Sequence, residues 1–246
     1  MRRIEYFGLF AVLLLAGCSG TESSAVQADL PEDAPTAFSQ FQNDVNVFVE
    51  GDYIIVESTG VPNHGSPYFD TSSSQYESYD GDNTQFQLNP NRIATQNLTF
   101  RIPLNATEAS SKEATPLGPI GVSLNGVPFY NQYAGPNQPL TFEINSFDQY
   151  LGHPQQFGGY HYHMEPVYIS DMVGREGLLG FLLDGFPVYG PRESGENVTN
   201  QDLDAYHGHA HATPDYPDGT YHYHITAEDP YINGNGFFGV AGTVSQ

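Results

Sequence analysis

The chain of 246 residues has one cysteine, no tryptophan, and seven lysines and arginines against 29 aspartates and glutamates. A single cysteine excludes an internal disulfide and a zinc–thiolate cluster. With Cys18 read as a lipid anchor, a thiol nucleophile and a blue-copper thiolate are excluded too. The shortage of basic residues leaves a net charge of -22. Such a surface repels phosphate backbones, which argues against a nucleic-acid partner and against adhesion to anionic lipid through a basic patch. It suits a cation ligand, or solubility in a saline medium. Long helices with heptad patterning are missing. So are the Gly-x-Ser-x-Gly elbow, the Walker loop, the dinucleotide glycine fingerprint and the His-Glu-x-x-His helix of zincins.

What the chain has instead is 17 tyrosines, 16 phenylalanines, 26 glycines and 18 prolines. Aromatics in short runs punctuated by Gly and Pro read as many short strands joined by turns. The expected fold is a mostly β single domain with an internal two-fold repeat and little helix. Val45 to Val49, a turn at Glu50-Gly51-Asp52, and Tyr53 to Val56 predict a hairpin. Leu98 to Ile102 predicts another strand, and the Ser/Tyr/Asp-rich run from Phe69 to Gln85 a long surface loop. Short helical turns are expected at Ser146 to Leu151 and Asn200 to Tyr206.

Residues 1–17 read as a signal peptide. Arg2 and Arg3 form its basic start, and Phe7 to Ala16 an apolar stretch too short to span a bilayer. Leu15-Ala16-Gly17-Cys18 matches the bacterial lipobox, which makes Cys18 the acylated (palmitate-bearing) first residue. Residues 18–37 read as a polar tether, and 38–246 as the β-rich domain. With Ser19 after the cysteine and no Asp retention signal, the expected location is a cell-envelope lipoprotein. The outer membrane is favoured, facing periplasm or exterior, and the membrane is the partner.

From Gly121 the chain duplicates itself. Gly121 to Tyr130 lines up with Gly180 to Tyr189, Asp148 to His153 with Asp204 to His209, and Tyr160-His161-Tyr162-His163 with Tyr221-His222-Tyr223-His224. The three blocks recur in order, at offsets of 59, 56 and 61 residues. Such a series implies two copies of one supersecondary unit, with halves at about 120–166 and 180–230. Each copy starts with a strand and an Asn-Gly or Asp-Gly turn and ends with an alternating Tyr/His strand.

In a strand, residues i and i+2 share a face, so His161 and His163 face one way and Tyr160 and Tyr162 the other. The same holds for His222 and His224 against Tyr221 and Tyr223. Two imidazoles about 7 Å apart at their origins and leaning inward can share an ion. His153 and His209 supply a third ligand, giving a three-His set per half or one site shared between halves. His207 and His211 flank His209, as extra ligands or as loop residues. Asp148 and Asp204 are candidate acceptors orienting an imidazole N–H. The opposing reading is structural: tyrosines in the core and imidazoles hydrogen-bonded across strands.

These residues resemble the YHYH family of secreted bacterial proteins. The resemblance begins at Gly60-Val61-Pro62-Asn63-His64 and runs through the two Asn/Asp-Gly-hydrophobic-Pro turns and both Tyr-His-Tyr-His motifs to Asp229-Pro230-Tyr231 and Gly239, covering about Val45 to Val240. It implies a fold unit more than an activity, and it adds His64 to the candidate ligands. Many members carry Cys where Tyr150, Tyr206 and the Asn235–Gly236 pair stand here, so any thiolate part of a family site is absent.

The expected function is binding of a transition metal, copper or zinc, through His161, His163, His222 and His224. His153, His209 and His64 would complete the shell. Two alternatives stay open. One is a structural or adhesive module for glycan or protein, against which the lack of tryptophan counts. The other is a metal-independent histidine hydrolase. No catalytic residue is assigned, and whether the chain is an enzyme stays open.

Overall fold

The structure is a computed structural model that describes residues 30–31, 34–42 and 45–246. The leader, Cys18 and most of the tether lie outside the described residues. Three strands come first: β1 (Asn46–Glu50), β2 (Tyr53–Ser58) and β3 (Leu98–Pro103). The first copy supplies β4 (Pro119–Ser123) and β5 (Pro128–Tyr130), a ribbon of β6 (Tyr133–Ala134) and β7 (Gln138–Pro139), then β8 (Gly152–Pro154) and β9 (Tyr160–Tyr162). After helix α1 (Val167–Val173), the second copy supplies β10 (Leu178–Leu182) and β11 (Pro187–Tyr189). Its ribbon is β12 (Arg192–Glu193) and β13 (Glu196–Asn197), followed by β14 (Gly208–His211) and β15 (Thr220–His224). Strand β16 (Thr243–Ser245) closes the chain.

Two main sheets result. The smaller has the order β1-β2-β3-β16, and the larger β14-β15-β11-β10-β4-β5-β9-β8. In β3 the alternation is clean: Leu98, Phe100 and Ile102 are buried, while Thr99, Arg101 and Pro103 between them are not. The apolar sides of both sheets share one core, in which Ile54 and Phe100 join Val122, Phe181, Tyr162 and Tyr223. Phe38 stacks on Phe181 with centroids 3.8 Å apart, which brings the start of the expected domain into that core.

The larger sheet makes the duplication visible as symmetry. Its order reads outward identically from the β4–β10 pair, and the parallel pairings β5–β9 and β11–β15 correspond. At the centre Val122 pairs antiparallel with Phe181, and these two residues are also each other's counterparts in the repeat. A local two-fold axis therefore passes between them. Each copy turns from its first strand to its second at a glycine in the left-handed region, Gly126 (φ 79°) and Gly185 (φ 85°), as Asn-Gly and Asp-Gly predict.

The helical expectations need correction. Residues 200–206 form turns, and in the first copy 3₁₀ turns lie at Glu143–Ser146 and Gln156–Gly158, on either side of the expected stretch. The one α-helix among the described residues is α1, directly after Pro166, with Ile169 and Ser170 buried. Seven residues are too few to hold a helix by propensity alone, so the burial of Ile169 decides it. No helix among the described residues is long and apolar enough to cross a membrane.

Candidate metal centres

Each copy builds its site from an antiparallel strand pair. His153 on β8 lies opposite His161 on β9, and His209 on β14 lies opposite His222 on β15. The glycine before each first-strand histidine is required by close approach: a Cβ on Gly152 would collide with the Tyr160 ring, and one on Gly208 with the Tyr221 ring. The tyrosines of each Tyr-His-Tyr-His strand thus cover one face, and the histidines converge on the other.

In the first copy the Nε2 atoms of His153 and His161 are 3.1 Å apart, and those of His161 and His163 3.0 Å. Glu143 Oε1, from the 3₁₀ turn, is 3.4 Å from His153 Nε2. The other ring nitrogens are all engaged. Gly159 O lies 3.1 Å from His161 Nδ1, and Asn131 O 2.5 Å from His163 Nδ1. Ser146 Oγ gives its proton to Glu143 O (2.7 Å), so at 2.7 Å from His153 Nδ1 it accepts. A carbonyl can only accept, so these partners fix the Nδ1–H tautomer. Three Nε2 lone pairs then face one another, a repulsive arrangement that a cation resolves. Tetrahedral ligands on zinc stand about 3.3 Å apart and right-angled ones about 2.9 Å, for Zn–N bonds of about 2.05 Å. The observed spacings fall in that range.

The second copy repeats this for His222 and His224. His222 Nδ1 is 3.1 Å from Thr220 O, and His224 Nδ1 is 2.8 Å from Gly190 O. These carbonyls are the repeat counterparts of Gly159 and Asn131. His211 Nδ1 is 2.9 Å from Ala212 O, and its Nε2 is 3.2 Å from that of His209. Glu193 Oε1 is the common neighbour, 2.6 Å from His211 Nε2, 3.6 Å from His209, 3.9 Å from His222 and 3.7 Å from His224. The buried Nε2 atoms of His222 and His224 have no hydrogen-bond partner. Two groups could therefore hold a metal ion: Glu143, His153, His161 and His163, and Glu193, His209, His211 and His222, with His224 beside the latter. The expected histidines fall into two separate sets rather than one shared site. Five strand spacings part β9 from β15, about 24 Å along the sheet.

Burial keeps these imidazoles neutral. It lowers His153 to about 3, with His163 adding to the effect, and His163 to about 4. It lowers His222 to about 3 and takes His161 well below its ordinary value. Neutral imidazole is the metal-binding form.

Four expected residues stand elsewhere. His64 is on the tyrosine side, its Nδ1 2.8 Å from Gly65 O and its Nε2 2.8 Å from the Tyr162 hydroxyl, so it joins neither group. His207 has a left-handed backbone (φ 78°) that turns it away from His209, and its Nε2 is 3.0 Å from Thr226 Oγ1. Asp148 and Asp204 hydrogen-bond no imidazole. Asp148 accepts from Tyr160 Oη, Ser66 Oγ and the backbone N–H groups of Tyr150 and Gly152. Asp204 accepts from Tyr221 Oη and the N–H groups of Tyr206 and Gly208. Both cap the loop before the first-strand histidine and anchor a tyrosine on the opposite face. Backbone carbonyls do the orienting instead.

The two carboxylates were not singled out from sequence. Glu193 occupies the repeat position of Ala134, and Glu143 lies outside every aligned block, so nothing marked them among 29 acidic residues. His211, left open as ligand or loop residue, stands inside the second group, and its counterpart in the first copy is Gln155.

Searches of curated proteins and of solved structures each found no match. The YHYH protein family matches residues 99–200 and 193–236, more than half of the chain and both histidine sets. The chain belongs to the YHYH family.

Proposed function

We propose that this is a lipid-anchored envelope protein whose domain binds a transition metal at two centres, one per copy. The observation that carries the reading is the convergence of Nε2 lone pairs whose Nδ1–H groups are held by acceptors. The donor set is imidazole nitrogen and carboxylate oxygen. That suits zinc or copper(II), and the lack of sulfur disfavours copper(I). A metal there would act as a Lewis acid toward any ligand admitted to it. The residues of this chain hold the donors, fix their tautomers and, in the first copy, exclude water. The anchor rests on the lipobox at Leu15 to Cys18. It puts the domain on the outer membrane facing periplasm or exterior, with the membrane as partner and no nucleic acid.

The test is elemental analysis of the full chain purified without a histidine tag, beside a chelator-treated control. Two equivalents of metal are expected, and one each in the His161→Ala/His163→Ala and His222→Ala/His224→Ala variants. Metal-free protein with unchanged stability after chelation would overturn the reading. Radiolabelled palmitate incorporation lost on Cys18→Ser would test the anchor.

A further inference from the structure

Three of the repeat positions at which the second centre differs from the first lie together on one side of it. His211 replaces Gln155. On the ribbon, Arg192 and Glu193 replace Tyr133 and Ala134. These changes border a cleft of about 320 Å³ lined by Arg192, Glu193, His211, His222, His224 and Tyr189, with Glu176 on the same rim. One Glu176 carboxylate oxygen accepts the Gly195 N–H at 2.7 Å.

Two unmet needs belong to residues that line this cleft. The Nε2 atoms of His222 and His224 are buried acceptors without a donor, in side chains 0% and 3% exposed. The buried Nε of Arg192 is a donor without an acceptor. Its Nη2 is already spent on the Gly195 carbonyl. A cation alone answers the histidines but leaves the Nε–H of Arg192 unpaired in a cleft that then holds a second positive charge. A cation carrying an anion answers both, because the guanidinium hydrogen-bonds the anion that the metal polarises.

Resting on the metal reading above, we propose that the second centre, and not the first, takes a small anion of carboxylate size as a further metal ligand, held by Arg192. The first centre lacks the arginine, and His153, His161 and His163 are each 2% exposed. Closed centres of that kind have structural roles, whereas centres with an open position exchange ligands.

The experiment loads the full chain with copper(II) in chloride-free buffer and titrates it with sodium azide, followed by the azide-to-copper absorption band and the copper EPR spectrum. A saturable band is expected in the wild type and in His161→Ala/His163→Ala, and none in His222→Ala/His224→Ala. Arg192→Gln should keep its metal and bind azide roughly tenfold more weakly, as expected for loss of a charge-assisted hydrogen bond. Because Arg192 is only partly buried, this variant stays informative if the double variants fail to fold. Two copper ions bound with no azide band would overturn the anion proposal and leave the metal reading standing. So would a band that survives without His222 and His224, or equal affinity in Arg192→Gln. No bound copper at all would overturn both.

Discussion

In the first copy His161 lies under the Tyr130 ring at 4.0 Å, and His163 stacks on Phe147 at 5.7 Å. In the second, the counterpart of Phe147 is Leu203, and Tyr189 meets His222 only edge-on at 5.3 Å. The Tyr189 hydroxyl is drawn off instead to Thr213 and Asp215, each at 2.8 Å. His209 and His211 are left with side chains 24% and 41% exposed. Yet the backbone acceptors, the glycine before the first histidine and the Asp-capped loop are the same in both. Geometry of the three shared imidazoles is set by the scaffold, while access is set by a few surrounding side chains.

Removing histidine pairs strains this contrast most. His161→Ala/His163→Ala should destabilise the metal-free protein by several kcal/mol, at roughly 2–5 kcal/mol per large buried side chain truncated. His222→Ala/His224→Ala, equally buried, should cost less only because the space it leaves opens to the adjoining cleft, where water can fill it. Urea melts of both variants in chelator measure the difference, and equal losses would erase it.

The copies also differ in the pH dependence of the groups behind their tyrosines. Tyr162 is held by neutral His64 and Asn125, and Tyr223 by the buried carboxyl of Asp184. Burial lowers His64 to about 4. The unfolded chain, titrating near 6.5, then binds the extra proton, so stability is full above about pH 6.5 and falls toward pH 4. That is about 3 kcal/mol at 1.36 kcal/mol per unit. Burial raises Asp184 to about 6. Here the folded state binds the proton, so stability declines by a similar amount as pH rises from about 4 to 6. His64→Gln should remove its share of the acid-side loss, to which the other buried histidines add, and Asp184→Asn its share of the opposite one, to which Asp148 adds. Stability curves from pH 3.5 to 7.5 on metal-free protein would measure both.

Smaller effects separate the loop caps and the extra ligand. Asp148→Asn should cost about 1–3 kcal/mol, as buried hydrogen-bonded groups do. Asp204→Asn, at an exposed residue, should cost under about 1 kcal/mol. Neither should change metal stoichiometry, and a lost equivalent in either would return them to the imidazole-orienting role. His211→Gln gives the second copy the first copy's residue. It should keep one metal there but speed its release to chelator roughly tenfold, comparable to losing a partner that supports a metal ligand. Stopped-flow transfer to a coloured chelator follows this directly.

Period-two alternation was enough to place His161 with His163 and His222 with His224, because strand geometry leaves side chains only two directions. The repeat offsets were enough to give two equivalent units. Spacing could not tell which face Asp148, Asp204 and His64 would join. That depends on loops whose path is set by tertiary contacts, and all three ended beside tyrosines. Glu143 and Glu193 were invisible for another reason: each copy draws its carboxylate from a different element, so the repeat contains no signal for them. Helix α1 escaped notice because seven residues carry little periodicity and its burial is a property of the packed core.

The pairing of Val122 with Phe181 at the local axis has one more consequence. Two identical chains meeting across such an axis would be a homodimer, and every substitution in it would appear twice. Covalent fusion breaks that bond between the sites. Arg192, Glu193 and His211 stand on one side alone, while the opposite half carries Tyr133, Ala134 and Gln155 at the matching positions. A fused pair can specialise where an assembled pair must stay identical.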